Sequence, residues 1–235
     1  MQQPIKFGAD IVIHSATKMI DGQGRVLGGV SVGRADLIRE IYLFARNTGP
    51  AMSPFNAWVL SKSLETLHVR ADRHCENALK VAEFLEGHDK VNMVKYPFLK
   101  SHPQYEVAKR QMRHGGNIVA FEVKGGIDAG RKFLNAIKMC SLSANLGDTR
   151  TIVTHPASTT HSKLAEEDTM APPNFPHNKE ITGWLLTLTA TEELLPVIHL
   201  GVEKVGTTQV CGPGHLVNSL ALYLSTSIAS FLSSL

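Results

Sequence analysis

A polar turn set directly against a short apolar run constrains this chain more than any other feature. Residues 7–13 (FGADIVI) are apolar and rich in isoleucine and valine, and they stop abruptly at His14-Ser15-Ala16-Thr17-Lys18. Such a run reads as a buried strand, and functional side chains commonly sit where a strand ends in a turn. Residues 26–32, a glycine-bearing apolar run, read as a second strand. Over residues 34–44 and again over 55–85 apolar residues recur at helical spacing, and Pro54 is placed to open the second helix. That second stretch is expected to form one long connecting helix. Beyond it, residues 91–96 and 117–123 read as strands and 127–137 as a helix. Strands alternating with helices predict an α/β chain with a smaller α+β unit and a change of domain near residue 70.

Composition narrows the class of function. The 235 residues are 43% hydrophobic, enough for a packed core, and carry a formal charge of only +3. Lysine and arginine are scattered, so no nucleic-acid face is indicated. Cys75, Cys140 and Cys211 lie far apart without a Cys-x-x-Cys pair. That usage fits a reduced compartment, and with no apolar stretch of signal length near Met1 the expected setting is cytoplasmic. The last third differs. Residues 1–163 hold 22 Lys and Arg against 14 Asp and Glu, a net +8, whereas residues 164–235 hold 2 against 7, a net −5. No arginine follows Arg150. Residues 216–235 have the length of a membrane span, but their many Ser and Asn and the stripe Leu216, Leu220, Leu224, Ile228 and Leu232 favour an amphipathic tail with no membrane partner.

The chemistry centres on the turn. Ser15 and Thr17 present hydroxyls two residues apart that can donate to phosphate oxygens, and Lys18 offers an amine that can attach to a carbonyl. Gly22, Gly24, Gly28 and Gly29 permit close backbone approach. On composition alone, a solvated surface lysine is the ordinary alternative. His155 and His161, six apart, lack carboxylate or cysteine partners at useful spacing, so no metal site is expected. Gly22-x-Gly24 is no dinucleotide fingerprint, because the third glycine and the following helix are misplaced.

The wording of the turn is more specific than its composition. Gly8-Ala-Asp-Ile-Val-Ile-His-Ser-Ala-Thr-Lys18, running on to Asp21-Gly-Gln-Gly-Arg-Val-Leu-Gly-Gly29, resembles the lysine motif of the Cys/Met metabolism family of pyridoxal-phosphate enzymes. The likeness continues through Thr48 to Trp58, Lys62 to Leu67, Arg70 to His74, Tyr96 to Pro103, Gly115-Gly116, Ser143 to Asp148 and His155 to His161. The resemblance implies the carboxyl-terminal part of a fold type I, aspartate aminotransferase-like enzyme. Residues 1–70 would end the large cofactor-binding domain, 71–168 would form the small α+β domain, and 169–235 would be a divergent tail. Pyridoxal 5'-phosphate would be held covalently on Lys18, with Ser15 and Thr17 on its phosphate. Asn145 would contact the carboxylate of an amino acid substrate, and Arg46 would meet its acyl chain. Outside the resemblance, Asn145 is equally a turn residue bonding its own backbone, and Arg46 a solvated arginine. Within the family, the Asp21–Gly29 string and Ser53 to Trp58 point to exchange of the succinyl group of O-succinylhomoserine for sulfide. Cystathionine synthesis, cystathionine cleavage and methionine γ-cleavage share the lysine motif and stay open. A homo-oligomer is implied.

Two departures temper the expected activity. The family's aromatic ring over the cofactor, the aspartate at its pyridine nitrogen and further groups precede the lysine in the family and are not among these residues. The strand expected to carry an arginine for the substrate carboxylate is replaced by Ile181-Thr-Gly-Trp-Leu-Leu-Thr-Leu-Thr-Ala190. These residues alone are therefore expected to bind cofactor weakly, and a non-catalytic remnant or interaction subunit is the alternative class. The chain beyond Asp168 is expected to have left the ancestral reading frame, depriving the small domain of its closing strand.

Overall fold

A computed structural model describes residues 1–159 and the strand Trp184–Thr187. Pro4 opens a single 3-10 turn, Pro4–Phe7, which Gly8 closes, so the first strand begins later than the apolar run suggests. Strand β1 (Ile11–Ser15) pairs antiparallel with β2 (Gly29–Gly33), Ser15 opposite Gly29 and Ile11 opposite Gly33. Helix α1 (Ala35–Thr48) follows and ends on Gly49.

The long helix expected over residues 55–85 is in fact two helices, α2 (Pro54–Leu64) and α3 (Leu67–Glu86). The break has a local cause. Glu65 and Thr66 bond back three residues, to the Lys62 and Ser63 carbonyls, which tightens the last turn of α2. The Ser63 carbonyl is also taken by the Thr66 hydroxyl and by Arg70 Nη2, diverting it from the helical ladder.

A second sheet has the order β3-β4-β7-β6-β5, built from Val91–Lys95, Ile118–Val123, Trp184–Thr187, Ile152–Thr154 and Ser141–Leu142 respectively. Strand β4 alternates as a half-buried strand should, with Val119, Phe121 and Val123 buried and Ile118 facing out. Against it lie Ala78, Val81, Ala82 and Leu85 of α3 and Phe133 of α5 (Gly126–Ala136). The Phe121 and Phe133 rings meet edge to face at 5.6 Å. Short helix α4 (Tyr105–Gln111) was not foreseen.

Strand β7 corrects the expectation that this sheet lacks its closing strand. It pairs antiparallel with β4 on one side, Phe121 opposite Trp184, and with β6 on the other, Thr154 opposite Leu185. Ladder bonds are made by backbone, so loss of the family's arginine from this segment does not prevent pairing. The rest of the tail, including residues 216–235, lies outside the described residues.

The two ends of the described chain are packed differently. The closed core belongs to residues 78–153, whereas Ile13, Leu27, Phe44, Phe55 and Trp58 are each more than half exposed. A lone two-stranded ribbon has too little apolar area to close over such side chains.

Candidate active site

Ser15 is the last residue of β1, and the chain then makes one wide, π-type turn, Ala16–Ile20. Lys18 departs from helical geometry inside it, at φ −90° and ψ −117°. The turn is closed by the amides of Asp21 and Gly22, which donate to the Ala16 and Lys18 carbonyls at 2.8 Å each. Ala16 packs below with Val26, Val59 and Leu60, so the turn sits on a small apolar base.

The three residues expected to meet the cofactor are differently engaged. Lys18 is half-buried, and its Nζ makes no hydrogen bond or ion pair among the described residues. Ser15 is exposed, with its hydroxyl likewise uncommitted. Thr17 is tied to the loop before β2: its amide donates to the Gly28 carbonyl at 3.2 Å, and its Oγ1 accepts from the Gly28 amide at 3.0 Å. The Thr17 hydroxyl hydrogen has only a long contact to Gly28 O, 3.3 Å, and can turn to a better acceptor. An uncommitted amine, a free hydroxyl and a second hydroxyl that can turn, all within four residues of chain, suit a phosphorylated aldehyde, so these residues fit pyridoxal phosphate.

Behind the turn lies a buttress that sequence reasoning missed. Asp21 is fully buried and accepts from the Arg25 amide at 2.7 Å and from Arg25 Nε at 3.0 Å. Arg25 Nη2 reaches on to the Asp21 carbonyl and the Ser63 hydroxyl. Arg70 enters from α3, with Nη1 donating to the Met19 carbonyl at 2.8 Å and Nη2 to that of Ile20 at 3.1 Å. Gly22 makes this possible: its φ is +72°, and a Cβ there would overlap the Arg70 guanidinium. An aspartate followed by alternate glycines is a readable turn signal. The string Arg70 to His74 belongs to the family likeness, but nothing in it announces that Arg70 reaches a turn some fifty residues earlier.

A loop from the second sheet closes the other side. The Thr149 amide donates to the Gly22 carbonyl at 2.7 Å, and Asn117 Nδ2 reaches Met19 Sδ at 3.3 Å. Gly147, at φ +73°, lies so close that a Cβ would stand 2.7 Å from Met19 Cγ and Sδ. This docking brings Asn145 beside the turn: its Nδ2 is 3.6 Å from where a Cβ on Gly24 would stand. Asn145 also bonds to the buried Asp148 carboxylate. Burial works to raise the Asp148 carboxyl, but hydrogen bonds from Arg150 and Asn145 hold it below the usual range. Arg150 is bidentate on Asp148, at 3.0 and 2.9 Å.

His74, on α3 behind this loop, is fully buried, and neither ring nitrogen has a hydrogen-bond partner. Burial, then the nearby Arg70, lowers its pKa to about 4, while Asp148 pulls the other way. Arg46 is not gathered into the cluster; it stands exposed in the last turn of α1 without a hydrogen bond or ion pair among the described residues. His155 Nδ1 is bonded to Ser158 Oγ at 2.8 Å, and His161 lies outside the described residues. Among the described residues no group of three or more His, Cys, Asp or Glu is placed to hold a metal, and no helix is long and apolar enough to cross a membrane.

Comparison with known proteins decides the family. The sequence pattern of the Cys/Met metabolism PLP-dependent enzymes matches residues 1–173, most of the chain. The chain belongs to that family. Among the relatives of this Cys/Met metabolism chain, the O-succinylhomoserine sulfhydrylase of Pseudomonas aeruginosa is 52% identical over 168 residues, covering 72% of this chain and 42% of the relative. The L-methionine gamma-lyase of Porphyromonas gingivalis is 50% identical over 171 residues, covering 72% of this chain and 43% of the relative. In structure, the cystathionine gamma synthase of Xanthomonas oryzae pv. oryzae, solved in complex with aminoacrylate and cysteine, superposes with a TM-score of 0.78 at 31% identity. That superposition covers 99% of this chain and 53% of the synthase. The chain thus has the fold type I architecture of the family's pyridoxal-phosphate-dependent enzymes and spans less than half the length of these curated relatives.

Proposed function

We propose that this chain is the lysine-bearing part of a transsulfuration enzyme that exchanges the succinyl group of O-succinylhomoserine for sulfide, giving homocysteine. The observation that carries the reading is Lys18, in the turn that follows β1, with an uncommitted Nζ and with Ser15 and Thr17 in the same four residues of chain. Pyridoxal phosphate, when bound, supplies the electron sink for charge developing at the substrate carbons.

The chain's own residues do the rest. Lys18 Nζ would hold the cofactor and, with the amino acid in its place, would take protons from Cα and Cβ and return them after succinate has left Cγ and hydrosulfide has added there. Ser15 Oγ and Thr17 Oγ1 would donate to the phosphate of the bound cofactor and so hold it beside the lysine. Asn145 presents its amide to the substrate carboxylate from the docked loop. Arg46 would need to approach from α1 to meet the acyl carboxylate. We assign residues 1–70 to the end of the large domain and 71–168 to the small one, with the tail from 169 contributing β7. The assembly would be a homo-oligomer, acting on a small amino acid.

A second reading, γ-cleavage of methionine, is favoured by 50% identity to a methionine gamma-lyase, close to the 52% of the sulfhydrylase. One experiment separates them. The portion of the Pseudomonas aeruginosa relative without a counterpart here is co-expressed with this chain, and the complex is loaded with pyridoxal phosphate. Borohydride reduction should place the label on Lys18, and O-succinylhomoserine with sulfide should yield homocysteine. Label on Lys62 instead refutes the site. Methanethiol from L-methionine, without homocysteine formation, selects the second reading.

A further inference from the structure

We propose that Arg70 is a positioning residue for Lys18, holding the lysine-bearing turn in its active shape from helix α3. The inference rests on Lys18 being the cofactor lysine and adds the group that fixes it.

Arg70 is unlike the other arginines with bonded side chains. Arg25, Arg34, Arg113, Arg131 and Arg150 each pair with an aspartate, and Arg73 with Glu76. Arg70 instead spends its guanidinium on main-chain carbonyls: Met19 at 2.8 Å, Ile20 at 3.1 Å and Ser63 at 2.9 Å, with Nε on the Thr66 hydroxyl at 3.2 Å. Two of those carbonyls belong to the residues immediately after Lys18. A cation at the carboxyl-terminal end of a helical turn is placed where the carbonyl dipoles attract it.

The planar fork also decides the geometry. Its separate N–H groups reach the turn and the end of α2 together, which a single ammonium on a flexible stem cannot do with equal precision. The approach depends on the absence of a side chain at Gly22. With Met19 and Ile20 anchored, the Lys18 carbonyl keeps its bond from the Gly22 amide, and the direction of the lysine side chain follows. Released from α3, the turn would open and Nζ would sample positions away from Ser15 and Thr17.

The test uses the 235-residue chain as wild type, Arg70→Met and Arg70→Lys. The first readout needs no cofactor: hydrogen exchange at the amides of Asp21 and Gly22, the two that close the turn. Arg70→Met should speed both by about tenfold, the scale of one lost charge-assisted hydrogen bond, with exchange in β4 unchanged. The second readout is brief treatment with pyridoxal phosphate, borohydride reduction and peptide mapping, taken as the ratio of label on Lys18 to that on the exposed Lys132. That ratio should fall about tenfold in Arg70→Met and recover in part in Arg70→Lys, a selectivity that generalised loosening would not produce. Unchanged exchange and an unchanged ratio in Arg70→Met overturn the proposal. Faster exchange in a protein whose wild type never prefers Lys18 over Lys132 supports the clamp, and the ratio is then taken in the complex with the co-expressed portion of the Pseudomonas aeruginosa relative, where no preference for Lys18 refutes the cofactor reading. If Arg70→Met does not fold, Arg70→Lys decides, and equality with wild type in both readouts overturns the clamp.

Discussion

Acid should destabilise this protein through His74, and replacing that residue should remove a measurable share of the effect. The ring is fully buried with both nitrogens unpartnered, and its pKa falls from 6.5 to about 4, by burial first and by Arg70 second. A base with a depressed native pKa is bound by fewer protons in the folded state than in the unfolded state between those two values. Its contribution to stability is therefore intact above pH 6.5, declines as pH falls below that value, and reaches its full loss below about pH 4. At 1.36 kcal/mol per unit, the whole loss is about 3 kcal/mol, and between pH 7 and pH 5 it is about 2 kcal/mol. Urea melts of wild type and His74→Gln at pH 7 and pH 5 measure it. Other groups titrate in both proteins, so the double difference isolates His74, and wild type should lose about 2 kcal/mol more than the variant. Equal losses would refute the reasoning, as would a His74 resonance titrating near 6.5 in the folded protein.

Two further perturbations bear on the buttress of the lysine turn. Asp21→Ala strands the Arg25 guanidinium and two backbone amides that the buried carboxylate now satisfies, and should cost about 2–4 kcal/mol in a urea melt; a loss below half a kcal/mol would contradict the bonding described. Gly147→Ala forces a Cβ against Met19 at a positive φ, and should cost about 1–3 kcal/mol. It should also speed hydrogen exchange at the Thr149 amide, the bond joining that loop to Gly22, whereas undisturbed exchange there would show that the loop does not depend on the contact.

What the sequence determined by itself was local and consecutive. The string around Lys18 placed the chain in its family, and the alternation of Val119, Phe121 and Val123 placed β4, because both signals occupy a few adjacent positions with a fixed period. Asp21 and its following glycines stood in the family string, but nothing there marked Asp21 as the buried anchor of Arg25. Tertiary structure decided the rest. The helical period over residues 55–85 continued across Thr66, but Arg70 and Thr66 draw on the Ser63 carbonyl and the helix divides there. Composition and the missing arginine argued against a strand after Asp168, yet the space between β4 and β6 is filled by Trp184–Thr187, since a ladder asks only for backbone and a suitable neighbour on each side. Arg70 on Met19, and Gly147 against the same residue, join segments from about fifty to more than a hundred residues apart. Contacts of that kind leave no periodic trace in the chain; they exist only once packing has brought the segments together.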